Sequence, residues 1–246
     1  MRQRRWQLVL ALGLVAASVA TYAIDLLVFH NAHDTLFYLV GDLAFVPISV
    51  LLVTIILSQT LELRDRRVKL HRLNMMIGAF FSEVGNDLLE RLSVFDAGID
   101  EVREALRLRD GWTEGEFAAA GRRLLARDHP VDARLGDMGE LRAAVLAKRP
   151  FMLALLQNPT LLEHERFTDL LWAVLHVAEE LAARASLEGL PAPDLDHLSG
   201  DFRRAYGLLL AEWLAYVDHL RRYYPYLYSL AVRTNPFDPA AGAVVA

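Results

Sequence analysis

The chain has 246 residues, no cysteine and a formal net charge of −5. Disulfides, thiolate metal sites and cysteine nucleophiles are thereby excluded, and the charge balance gives no reason to expect nucleic acid as a partner. Hydrophobic residues make up 54% of the sequence and mean hydropathy is +0.24, a level that points to membrane segments.

The first apolar run is Trp6 to Phe29, 24 residues carrying one charge, Asp25. As a helix it would be about 36 Å long, against a hydrocarbon core of about 30 Å. The second run, Leu36 to Leu57, has 22 residues and one charge, Asp42. Only His30 to Thr35 separates the two, so the pattern predicts an antiparallel transmembrane hairpin over residues 1–58. Ser18-Val19-Ala20 resembles a signal-peptide cleavage site. The apolar run continues past Ala20, however, which suits a retained anchor.

Arg2, Arg4 and Arg5 precede the first run, and Arg64, Arg66, Arg67, Lys69 and Arg72 follow the second; the connector holds neither Lys nor Arg. The positive-inside rule then predicts an inner-membrane protein with both termini cytoplasmic. The basic collar from Arg64 to Arg72 would meet anionic lipid headgroups, or simply fix topology.

Within the hairpin, Gly13, Ala17 and Thr21 recur every four residues. Such a small-residue face permits close helix approach, within one hairpin or between copies in a homo-oligomer. Asp25 and Asp42 fall at matched depth near the outer side, beside His30, His33 and Asp34. In an oligomer these groups would form an acidic outer mouth that concentrates cations. Interface-reaching or hydrogen-bonded carboxyls account for the same residues.

Residues 59–235 read as helix throughout. Residues 59–95 form a juxtamembrane, linking helix, whose apolar face is Leu70, Leu73, Ile77, Phe80, Phe81, Val84, Leu88 and Leu92. Residues 96–235 form a cytoplasmic helical bundle. Capping boxes fall at Thr113/Glu116 and Thr160/Glu163, and breaks at Asp110-Gly111, His129-Pro130, Arg149-Pro150 and Asn158-Pro159. The two central helices run from about residue 160 to 187 and from 199 to 224, with a loop over 188–197 between them. Pro225 ends the second, a short helix follows over 226–233, and residues 236–246 are expected to be a disordered tail. The fold class is therefore all-α, a transmembrane hairpin followed by a helical bundle.

Two segments, LNMMIGAFFSEVGNDLL (Leu73–Leu89) and YPYLYSLAVRTNPF (Tyr224–Phe237), resemble a group of uncharacterised prokaryotic two-span membrane proteins. The resemblance implies a membrane hairpin plus a cytoplasmic helical domain, and no activity. Gly78 and Gly85 lie seven residues apart in the first segment, where another helix can pack closely.

The stripe Glu165, Asp169, Trp172, His176 and Glu180, with Glu179 beside it, lies on one helix; Glu212, Tyr216 and His219 lie on the last long one. His176, Glu179, Glu180, Glu212 and His219 are the candidate metal ligands. The order His176-x-x-Glu179 reverses the Glu-x-x-His of di-iron bundles, and solvated charge explains the stripe as simply. Phosphate-loop, serine-hydrolase and zinc-protease motifs are missing, and no cofactor is indicated. The reading is a non-enzymatic, membrane-anchored, self-associating scaffold or sensor with a possible cytoplasmic protein partner. The alternatives are a homo-oligomeric cation channel and a membrane-bound metal-binding protein.

Overall fold

The computed structural model describes residues 12–13, 15–21, 23–24, 27, 32–109, 111–162, 164–242 and 244. Contacts divide the chain into two compact units, Met1–Arg66 and Arg67–Ala246. Among the described residues all regular structure is helical, apart from one isolated antiparallel bridge between Asp96 and Val131.

In the first unit, the described residues between 12 and 27 are helical. Helix α1 (Ala32–Phe80) follows, so the expected connector gives up residues 32–35 to helix. Among the described residues one window, Phe45–Glu62, is long and apolar enough to cross a membrane; its mean hydropathy is 1.8 and none of it is buried. Much of the first predicted span lies outside the described residues. Hydroxyls on these helices turn back onto their own backbone: Thr21 donates to the Ala17 carbonyl at 2.9 Å and Thr54 to the Val50 carbonyl at 2.7 Å. Satisfied this way, they leave the outer surface apolar.

The second unit takes the end of α1 into its core. A π-helical turn, Phe81–Gly85, follows α1 and is marked by the Asn86 N–H bonding the Phe81 carbonyl. The extra residue in this turn advances the helix face, so that the neighbours Phe80 and Phe81 are both fully buried. Their rings meet edge-on at 5.3 Å, and Phe80 meets Phe167 at 5.2 Å. Leu73, Ile77, Val84, Leu88 and Leu92 are buried as the apolar pattern predicts; the side chain of Leu70 lies outside the described set.

The remaining helices are α2 (Asn86–Ser93), α3 (Ile99–Ala105), α4 (Glu114–Ala126), α5 (Met138–Leu156), α6 (Pro159–Leu162), α7 (Glu165–Ala183), α8 (Ala192–Tyr223) and α9 (Pro225–Arg233). Helix α8 is central and packs against α2, α4, α7 and α9. It runs antiparallel to α7. The ion pairs 166/212, 176/201, 180/197 and 184/194 step down one helix as they step up the other.

Several boundaries differ from the sequence reading. Pro150 does not break a helix but sits inside α5. Met152 and Leu141 of that helix are buried, and α5 packs along α7, so tertiary burial outweighs the one lost backbone bond. The Thr160/Glu163 cap does not start α7. Residues 159–162 form a single turn, Glu163 lies outside the described residues, and His164 Nδ1 caps α7 by accepting the Phe167 N–H at 3.2 Å. Helix α8 begins at Ala192, inside the expected loop, because Pro193 occupies a first-turn position where no amide N–H is needed.

The segment expected to be a disordered tail is packed at its start. Phe237 is buried, its N–H bonds Asn235 Oδ1 at 3.0 Å, and Asn235 Nδ2 donates to the Leu106 carbonyl at 2.8 Å. Other expectations hold. Thr113 and Glu116 form a reciprocal capping box, Gly111 turns with φ of +89°, and α9 follows Pro225.

Candidate functional site

Two features of the second unit bring chemistry-bearing side chains together. The first is built by α7 and α8. His176 and Glu180 are one turn apart on α7, and His197 and Asp201 are one turn apart on α8. A four-residue step keeps each pair on one helix face, and antiparallel packing turns the faces together. His176 Nε2 lies 3.4 Å from Asp201 Oδ2 and 3.8 Å from Glu180 Oε1. His197 Nε2 lies 3.3 Å from the same Asp201 Oδ2 and 3.5 Å from Glu180 Oε2. Ligand atoms of His176, Glu180 and Asp201 all fall within 4.8 Å of one another.

Arg184, just past the end of α7, fixes this geometry. It donates to both oxygens of Asp194, at 2.9 and 2.5 Å, and to Glu180 Oε2 at 2.8 Å. Its hydrogen bonds hold the Glu180 and Asp194 carboxyls below the usual range and raise its own pKa. The Asp201 side chain is only 6% exposed, and its Oδ2 accepts no hydrogen bond. The two imidazoles are open to solvent on their outer sides.

The second feature is a groove of about 750 Å³ between α4 and α8, with Phe117, Leu124 and Leu214 in its apolar floor. Guanidinium groups of Arg166, Arg203 and Arg222 line its rim. Glu212, 3% exposed, lies at the groove and pairs with Arg166 at 2.9 Å. Burial pushes its carboxyl pKa up, against the pull of Arg166.

The predicted metal set is only partly brought together. His176 and Glu180 converge, while Glu179 pairs with Arg149 at 3.7 Å, Glu212 belongs to the groove, and His219 Nδ1 lies 3.3 Å from the Asn74 amide. The converging partners His197 and Asp201 were missed. Their signal was a second His-x-x-x-acid step, obscured because 188–197 reads as loop.

Of the outer-mouth candidates, Asp25 and His30 lie outside the described residues; His33, Asp34 and Asp42 have helical backbone in α1 and side chains outside the described set. The same holds for the side chains of Arg66, Arg67, Lys69 and Arg72, whereas Arg64 is exposed. Gly13, Ala17 and Thr21 are helical and exposed. Gly78 faces Tyr216 of α8, and a Cβ there would meet the ring at 3.4 Å. Gly85 is crowded by the rings of Phe81 and Phe80.

Comparison with known proteins covers nearly the whole chain. Residues 2–61 match the family described as "MJ1433, N-terminal helical domain", and residues 69–233 match "Uncharacterized protein MJ1433, C-terminal helical domain". The protein of that name from Methanocaldococcus jannaschii is 41% identical over 238 residues, 97% of this chain and 96% of the relative. No solved structure matches. The chain therefore belongs to the MJ1433 family, with its N-terminal and C-terminal helical domains.

Proposed function

We propose that this protein is a membrane-anchored helical scaffold or sensor, without catalytic activity of its own, that self-associates and presents residues 67–242 to a cytoplasmic partner. The exposed apolar window Phe45–Glu62 carries this reading. In water, such a surface is a strong driver of association or membrane insertion. The run Trp6–Phe29 supplies the first span of the hairpin, and the basic residues from Arg64 to Arg72 keep the larger unit on the inner side. The exposed Gly13, Ala17 and Thr21 face is the contact between copies. The arginine-rimmed groove beside α8 is the surface offered to the partner.

The test is extraction of the full chain from cell membranes, followed by protease treatment of intact and of permeabilised cells. Retention in the pellet through alkaline carbonate, with residues 67–246 cleaved only after permeabilisation, is expected. Release by carbonate, or cleavage of that region in intact cells, removes the proposal. Cross-linking in membranes should also yield a ladder of copies, weakened by Gly13→Leu with Ala17→Leu.

A further inference from the structure

We propose that His176, Glu180, His197 and Asp201 form a binding site for one divalent transition-metal ion of the zinc class. The proposal is independent of the membrane reading, because every ligand comes from the hairpin of α7 and α8.

The geometry is that of a collapsed coordination sphere. Four ligands at bonds of about 2.1 Å around a tetrahedral ion are separated by edges of about 3.4 Å. Ligand atoms of His176, Glu180 and Asp201 lie within 4.8 Å of one another, with His176 Nε2 3.4 Å from Asp201 Oδ2 and 3.8 Å from Glu180 Oε1. His197 Nε2 stands beside them, 3.3 Å from Asp201 Oδ2 and 3.5 Å from the other Glu180 oxygen, Oε2. An ion among the first three needs only small side-chain adjustments, and the His197 ring closes in to complete its shell.

The chemistry selects the ion. Two imidazoles with two carboxylates suit zinc, cobalt or nickel, whereas magnesium and calcium prefer all-oxygen shells. A buried carboxylate oxygen without a hydrogen bond is costly, and Asp201 Oδ2 is such an atom: the two imidazole Nε2 atoms lie 3.4 and 3.3 Å away without hydrogen-bond geometry, and the Arg204 guanidinium reaches only the other oxygen, at 3.7 Å. A cation supplies the missing partner. Arg184 completes the design, because its bond to Glu180 Oε2 orients that ligand from outside, as partners of metal ligands commonly do. Four protein ligands would close the ion's shell, so its role is to clamp α7 to α8 rather than to activate water. Access is through the solvent-facing edges of His176 and His197, which are 40% and 54% exposed.

The test uses the untagged full-length protein in detergent, stripped with chelator and titrated with zinc. One equivalent should bind. Cobalt(II) at the same site should give the strong visible absorption of a tetrahedral ion. His176→Gln and His197→Gln are the informative variants, since both side chains are substantially exposed. Each should weaken zinc binding by at least about tenfold, while Glu179→Gln, on the same helix but paired outward with Arg149, should bind as the parent does. Absence of stoichiometric zinc in the parent protein, or binding that survives either histidine substitution, overturns the proposal.

Discussion

The ring of Phe237 stands edge-on to the indole of Trp213, with centroids 5.3 Å apart and planes at 78°. The indole N–H donates in turn to Asn86 Oδ1 at 3.1 Å. Trp213 thus joins three pieces of chain: α8, α2 and the segment after α9. Phe237→Ala should cost about 3 kcal/mol, the usual range for emptying a buried aromatic site. It should also move tryptophan emission to longer wavelength as water reaches the indole. Urea unfolding followed by fluorescence checks both, and an unchanged midpoint would show that the segment adds nothing to the core.

His129 supplies a pH dependence of known sign. Its ring is buried beside Asp96 and Arg127 and meets Tyr206 edge-on at 5.6 Å. Burial first, and the Arg127 cation second, hold the imidazole pKa below its ordinary value, with Asp96 opposing. The unfolded chain takes up this proton near about pH 6.5, the folded chain only at lower pH. Stability tied to the neutral ring is complete above the unfolded value and is lost as pH falls through the folded one. Wild-type protein should therefore lose more of its urea midpoint than His129→Gln between about pH 7.5 and about pH 5.5. Equal losses in the two proteins contradict this assignment.

Helical content was legible because its signal is local. The three- and four-residue steps of Leu73, Ile77, Val84, Leu88 and Leu92 name a buried face before any partner is known. The cap at Thr113 is equally local, with its carboxylate partner three residues on. Errors arose where distant contacts decide. Pro150 stays helical because α5 is packed along α7. His164 caps α7 through a ring nitrogen, which no serine- or aspartate-based rule anticipates. Phe237 is held because α8 presents Trp213 to it and Asn235 ties its backbone to the Leu106 carbonyl.

The candidate site follows the same logic. His176 and Glu180 were legible as neighbours on one helix. Asp201 became their partner only once α7 and α8 were known to be antiparallel and in register. That register is set by Arg184, whose fork to Asp194 spans the turn between them. Sequence spacing carries no record of a contact between helices, so half of the constellation was out of reach.

Gly78 tests one contact between α1 and α8. A Cβ at this position would lie 3.4 Å from Cε2 and Oη of Tyr216, at the tight edge of van der Waals contact. Tyr216 cannot easily retreat, because its ring is stacked on Phe81 with centroids 5.2 Å apart and planes at 12°. Burial also raises the pKa of its hydroxyl. Alanine at 78 adds one carbon and gains up to about 1 kcal/mol of helix propensity over glycine, so Gly78→Ala should leave stability unchanged or slightly higher. Leucine drives three further carbons into the stacked pair, and Gly78→Leu should cost about 1–3 kcal/mol through overpacking. Thermal unfolding of the two variants side by side decides the matter. Because leucine has no helix-propensity advantage over alanine, a midpoint for Gly78→Leu at or above that of Gly78→Ala would mean that its added carbons meet no resistance and that the two helices do not meet there.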